Sequence, residues 1–148
     1  MSITQKDYIM RLLEIFAESL RRIVELRVLG RPAESLDVLQ ETADQIFGAS
    51  LPLIDSLDAE SAVDVLVEPE KVQMYARLAE EEAELLAVLG HGDEAAGTRL
   101  RALEMYLERT RLEPPVDGET TERILELGRK VDVEQLEDRH RSLLEKVT

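Results

Sequence analysis

The chain is 148 residues long, 44% hydrophobic and 34% charged, which suits one ordinary globular domain and excludes a disordered segment. It contains no cysteine, which excludes disulfides, thiol nucleophiles and cysteine-based zinc sites; aromatic residues make up only 3%, so the core must be aliphatic. The net charge of −14 argues against direct nucleic-acid binding, because such a surface repels phosphate backbones.

In chain order, the pattern predicts a first helix over 5–29, opened by a capping box of Thr4 and Asp7 and carrying one apolar stripe: Ile9, Leu12, Leu13, Phe16, Leu20, Ile23 and Val24. Glu18 is placed to pair with Arg21 or Arg22 on its wet side. Gly30 ends this helix and Pro32 starts a second over 32–47, with Leu36, Leu39, Ala43, Ile46 and Phe47 inward and Gly48 as the stop. Pro52 breaks the next stretch, after which Asp58 and Ser61 cap a short helix over 59–66. A helix over 70–89 follows Pro69, with Val72, Tyr75, Ala76, Ala79, Ala83, Leu86 and Leu89 on one face and Glu80, Glu81, Glu82 and Glu84 on the other. The fifth helix covers 94–111, with Ala96, Leu100, Leu103 and Leu107 inward, and is stopped by Glu113-Pro114-Pro115. Asp117 or Thr120 caps a sixth helix reaching Val131. Asp132 with Gln135 caps a seventh, whose one side holds Val133, Leu136, His140, Leu143, Leu144 and Val147.

No segment has strand periodicity. The expected fold is a single all-α domain over 1–148: six to seven antiparallel helices, with a main stack over 1–111 and a C-terminal helix pair over 117–148. No apolar leader opens the sequence and no stretch approaches the ~18 apolar residues of a membrane span, so a cytoplasmic protein without membrane contact is expected.

Charge is unevenly spread. Residues 32–67 hold eight acids (Glu34, Asp37, Glu41, Asp44, Asp55, Asp58, Glu60, Asp64) and no Lys, Arg or His. Two readings compete: a solvated surface with the more basic first helix lying against it, and a docking face for a basic partner.

Three clusters could carry chemistry. His91, Asp93 and Glu94 fall within four residues, but donors on one tight turn diverge, so Gly90 and Gly92 are read as turn residues and Asp93 as the helix cap. Glu80 and Glu84 lie one turn apart, but no E-x-x-H accompanies them, so EEEAE is read as a solvated face. His140 sits on the last apolar stripe and is read as a satisfied core or boundary histidine. No nucleophile elbow, phosphate loop or H-E-x-x-H motif is present. No catalytic residue, cofactor or metal ligand is therefore assigned.

The stretch ARLAEEEAELLAVLGHGDEAAGTRLRALEMYLE, residues 76–108, resembles a tetratricopeptide unit: helix, Gly-Asp turn, helix, with Ala95 and Ala102 as the small pair of the second helix. Gly30 and Gly90 both follow Val-Leu, but their 60-residue separation is not the ~34 of that repeat, so a single two-helix unit is expected. The segments KDYIMRLLE, IDSLDAES and RALEMYLE also resemble an uncharacterised family of small acidic bacterial all-helical proteins. That resemblance implies the fold and no activity.

These readings converge on a non-enzymatic protein–protein interaction module, taking a basic protein partner or forming a homodimer through the first helix. Tyr75, Met105 and Tyr106 are the expected partner contacts, as large side chains near small-residue helices. The alternative is a helical metal-binding protein or enzyme using His91, His140 and neighbouring carboxylates.

Overall fold

Helix α1 (Ile3–Val28) buries Ile9, Leu12, Ile23 and Leu26 on the face its 3.6-residue period sets aside, with Leu13 and Phe16 packed beside them. The computed structural model describes residues 3–114 and 117–148; Pro115, the expected helix stop, lies outside them. Thr4 is already inside α1, so the expected capping box does not open the helix. As anticipated, Arg21 donates to Glu18 at 2.6 Å on the wet side.

The chain then reverses through a Schellman turn. Gly30 adopts φ +78°, its N–H donates to Arg27 O at 3.1 Å, and Arg31 N–H donates to Leu26 O at 2.9 Å. Helix α2 (Pro32–Phe47) runs back along α1, with proline in its first turn. Ser35, fully buried at the seam, donates its hydroxyl to Ile23 O at 2.6 Å, which brings the two backbones close.

After α2, Gly48 opens a 3-10 turn (Gly48–Ser50) that leads directly into helix α3 (Leu51–Ser56). Pro52 therefore does not break the chain as expected; it occupies the first turn of α3, where a missing N–H costs nothing. Helix α4 (Ala59–Leu66) starts where predicted, with Asp58 accepting from Ser61 N–H at 2.8 Å. Val67 (φ +67°, ψ −63°) makes a tight γ-turn, Glu68 N–H donating to Leu66 O at 2.8 Å, which aims the chain into the next helix.

Helix α5 (Pro69–Val88) is the centre of the molecule, packed by α1, α2, α4 and α6. It is buried well beyond one stripe: Met74, Leu78 and Leu85 join the predicted face. The EEEAE segment is consequently not a solvated face. Glu81 is only 4% exposed and is held by Arg27 of α1 at 3.3 Å and by Arg77, while Glu80 accepts from Arg123 at 3.0 Å. A central helix can carry these carboxylates inward because each meets a cation.

Helix α6 (Gly92–Leu112) packs antiparallel along α5, more extensively than any other helix pair. The turn between them repeats the α1–α2 turn bond for bond: Gly90 at φ +89°, Gly90 N–H to Ala87 O at 3.2 Å, His91 N–H to Leu86 O at 2.9 Å. The N-cap position belongs to His91, so Asp93 does not cap α6; it stands in the first turn, where its charge suits the helix dipole. Gly92 lies within the helix and needs no unusual backbone angle. Ala95 and Ala102 are buried at the seam as expected, whereas Ala96 is exposed and Met105 and Tyr106 are inward.

The small seam positions also correspond between hairpins. Ser35 and Thr42 follow Gly30 by the same steps as Ala95 and Ala102 follow Gly90, and all four are buried. Helices α1 and α5 are parallel: Lys71 sits 5.5 Å from the Tyr8 ring near their starts, and Arg27 meets Glu81 near their ends. The expectation of one two-helix unit is thereby corrected to two similar hairpins side by side, with α3 and α4 inserted between them.

Helix α7 (Gly118–Lys130) is capped by Asp117, which accepts from Thr120 N–H at 2.7 Å. The predicted seventh helix is split. The Asp132 carboxylate accepts from Glu134 N–H, Gln135 N–H going to the Asp132 carbonyl at 3.0 Å, and supports only a 3-10 turn (Val133–Gln135); Leu136 and Glu137 are extended before helix α8 (Asp138–Val147). No strand occurs among the described residues, and the fold class is all-α as expected. None of the described helices is long and apolar enough to cross a membrane.

Candidate functional site

Of the three expected partner contacts, Met105 and Tyr106 have no exposed surface. They are core residues, and a partner has nothing of them to touch. Tyr106 donates its hydroxyl to Glu80 Oε1 at 2.9 Å, and burial followed by the Glu80 charge pushes its pKa up. Tyr75 is 9% exposed and differs from the other two, because it borders a cleft.

That cleft has a volume of about 590 Å³ and opens between α2, α3, α5 and α6. Leu39, Ala43, Phe47, Leu51, Leu78 and Ala79 supply its apolar floor and walls. Tyr75 stands against Phe47, ring centroids 5.7 Å apart at an interplanar angle of 68°, an edge-to-face pair. The Tyr75 hydroxyl donates to Asp55 Oδ1 at 2.8 Å; burial pushes the phenol pKa up to about 12, against the opposing pull of Arg101.

Among the described residues Arg101 is the one cation lining the cleft, and it is committed. Its guanidinium donates to Leu57 O at 2.7 Å and Ile54 O at 2.9 Å, closing the C-terminal end of α3, and lies 5.5 Å from the Tyr75 ring centroid. A cation at a helix C-terminus is well placed against the dipole. Against it stand Asp44, Asp55 and Glu82. Glu82 is partly buried, and among the described residues its carboxylate has neither a hydrogen bond nor an ion pair. Burial, then the charges of Asp55 and Glu94, push its pKa above the ordinary carboxylate range.

The acidic segment 32–67 extends this field. All eight of its acids are exposed, and of them only Glu60 forms an ion pair among the described residues, with Arg139 at 3.5 Å. The bases of α1 do not neutralise it: Arg21 pairs within α1, and Arg27 turns to Glu81.

The two histidines are not brought together. His91 caps the start of α6, whereas His140 meets Glu108 near its end, about 24 Å away along the helix. The His91 imidazole is exposed and makes no hydrogen bond or ion pair among the described residues. His140 is buried, with Nε2 3.0 Å from Glu108 Oε2, a pairing that fits the reading of a satisfied histidine on that side. Its Nδ1 has no hydrogen-bond partner and stands 3.8 Å from Glu104 Oε2, at a small cavity of about 80 Å³.

Glu108 itself is fully buried. It accepts from Arg139 through two bonds of 2.8 Å and from Arg111 at 3.0 and 3.1 Å, besides His140. Burial alone would raise its pKa, but the bonds from His140, Arg139 and Arg111 outweigh that and bring it down to about 2. No three His, Asp or Glu side chains among the described residues converge as a metal site would need.

The sequence pattern placed Asp55 among the acids of 32–67 and Glu82 on a solvated helix side, and it singled out neither Arg101 nor Glu108. Glu108 follows the inward residue Leu107, with Arg111 three positions on, and that is a readable hint of a paired buried acid. The cleft had no comparable signal, because it depends on α3, whose existence Pro52 disguised.

Comparisons with family models, with curated proteins and with solved structures return no match to this chain.

Proposed function

We propose that the chain is a non-enzymatic interaction module that receives a segment of a protein partner in the cleft between α2, α3, α5 and α6. The cleft itself carries this reading: about 590 Å³ of open space over an apolar floor, placed on rigid helices. The hairpin architecture supports it, since antiparallel helix pairs stacked on small residues are the plan of tetratricopeptide-like binding modules. The alternative of a metal or enzyme site shared by His91 and His140 has no geometric support, given their separation along α6.

A homodimer through α1 would draw on the exposed Tyr8, Met10 and Val28 and the half-buried Leu20 and Val24, because Ile9, Leu12 and Ile23 of the stripe are already buried inside the chain and Leu13 and Phe16 pack against its core. Sedimentation of the purified protein tests that part.

Peptide display tests the main proposal. Random peptides selected on the wild-type protein are counter-screened on Gly97→Trp, which fills the cleft from α6, where no neighbouring atom stands within 4 Å of the added Cβ. Binders that lose the variant while it still folds support the reading. A selection that returns only binders indifferent to Gly97→Trp overturns it.

A further inference from the structure

We propose that the segment seated in this cleft is basic and amphipathic: a lysine or arginine of a partner peptide lays its aliphatic stem on the apolar floor and places its cationic head beside Glu82 and Asp55. This rests on the interaction-module reading and specifies its partner.

The charges of the cleft point to that chemistry. Among the described residues, Glu82 is partly buried with no hydrogen-bonding or charged partner, and Asp55 receives only the neutral Tyr75 hydroxyl. The neighbouring Arg101 is already divided between Ile54 O, Leu57 O and the Tyr75 ring. Elsewhere in the molecule the inward carboxylates Glu80, Glu81 and Glu108 are each met by at least one arginine, whereas the partly buried Glu70 and Glu104, which lie outside the cleft, have none among the described residues.

Other occupants fit worse. An anion would meet Asp44, Asp55 and Glu82 with no uncommitted cation among the described lining residues to receive it. A neutral apolar segment would desolvate Glu82 without pairing it, which is costly for a carboxylate. A bare metal ion lacks three converging ligands among the described residues. A lysine or arginine satisfies both halves of the cleft, because its stem is apolar and only its tip is charged. The exposed acids of 32–67, including Glu41 and Asp44 on α2, would steer such a segment toward the opening.

The test uses the full-length protein and three fluorescent peptides of one alternating design, Leu with Lys, Leu with Gln and Leu with Glu. Anisotropy titrations are run on wild type, Glu82→Gln, Gly97→Trp and Asp64→Asn; Asp64 is an exposed acid outside the cleft lining. The Lys peptide is expected to bind alone of the three, to weaken by about tenfold on Glu82→Gln, and to be lost on Gly97→Trp. Asp64→Asn, which removes the same charge elsewhere, should change binding by less than about twofold.

Equal losses on Asp64→Asn and Glu82→Gln would mean attraction to the whole acidic surface and overturn the proposal. If display yields cleft-dependent binders without basic residues, this inference fails and the interaction-module reading stands. If no peptide depends on the cleft, both fail.

Discussion

Helix α6 borders two inward carboxylates whose surroundings are opposite. Toward its C-terminal end, Glu108 is completely buried yet carries Arg111, Arg139 and His140 around it, and stays ionised down to a pKa of about 2. Toward its N-terminal half, Glu82 of α5 is less buried yet has no cation among the described residues, and its pKa is raised. Depth of burial therefore does not decide which carboxylate is costly. The presence of a partner does. The first arrangement is internal architecture, which fastens α8 to α6; the second is a carboxylate at a cleft, without a cation among the described residues.

The largest test of that contrast is Glu108→Ala. It leaves two arginines and a histidine facing a small void, and stability should fall by about 3 kcal/mol, the low end for a broken buried pair because both arginines keep some water contact. Urea denaturation measures the loss, and amide exchange should show α8 released first. A loss below about 1 kcal/mol, typical of surface ion pairs, would break the contrast.

The acid limb comes next. Glu108 has a folded pKa lowered to about 2 from 4.5, so its contribution is fully present above about pH 4.5 and disappears as pH falls toward about 2. Wild type should lose up to about 3 kcal/mol more across that window than Glu108→Gln, which has no proton to take up there. Parallel acid limbs for the two proteins would contradict the assignment.

The sequence made the hairpins readable and left their interior charges hidden. Bounds of α2 and α4 follow from Pro32, Gly48, Asp58 and Ser61, since capping is local chemistry written in adjacent residues. The single stripe expected for α5 was insufficient, because helical periodicity marks one face, whereas a helix surrounded by neighbours buries several. Glu81 and Glu108 look solvated until Arg27, Arg77 and Arg139 arrive from positions as far as 54 residues away. The repeated hairpin was visible as Val-Leu-Gly at two places. Its meaning depended on the turn geometry, not on the spacing, since α3 and α4 lengthen the interval.

Gly97 offers a smaller test on the open side. It lies inside α6 without positive φ, and a Cβ there meets nothing within 4 Å. Gly97→Ala should therefore stabilise the fold by about 0.5–1 kcal/mol through helix propensity alone. A destabilised variant would mean that the cleft wall is closed rather than open.

The smallest effect belongs to Glu82, and its sign separates it from Glu108. A carboxyl whose folded pKa is raised binds its proton more readily when folded, so its ionised form is a cost, present in full above the raised folded value, fading as the pH falls through that value, and gone below the ordinary 4.5. Glu82→Gln should then stabilise the protein at pH 7 by on the order of 0.5 kcal/mol, because the cleft still admits water to the carboxylate. Its advantage over wild type should shrink in acid, the reverse of the divergence expected between wild type and Glu108→Gln. A stabilising substitution that also weakens cationic peptide binding would show that the fold tolerates Glu82 at some cost to itself. Loss of stability on Glu82→Gln would instead mean that this carboxylate, like Glu108, serves the interior.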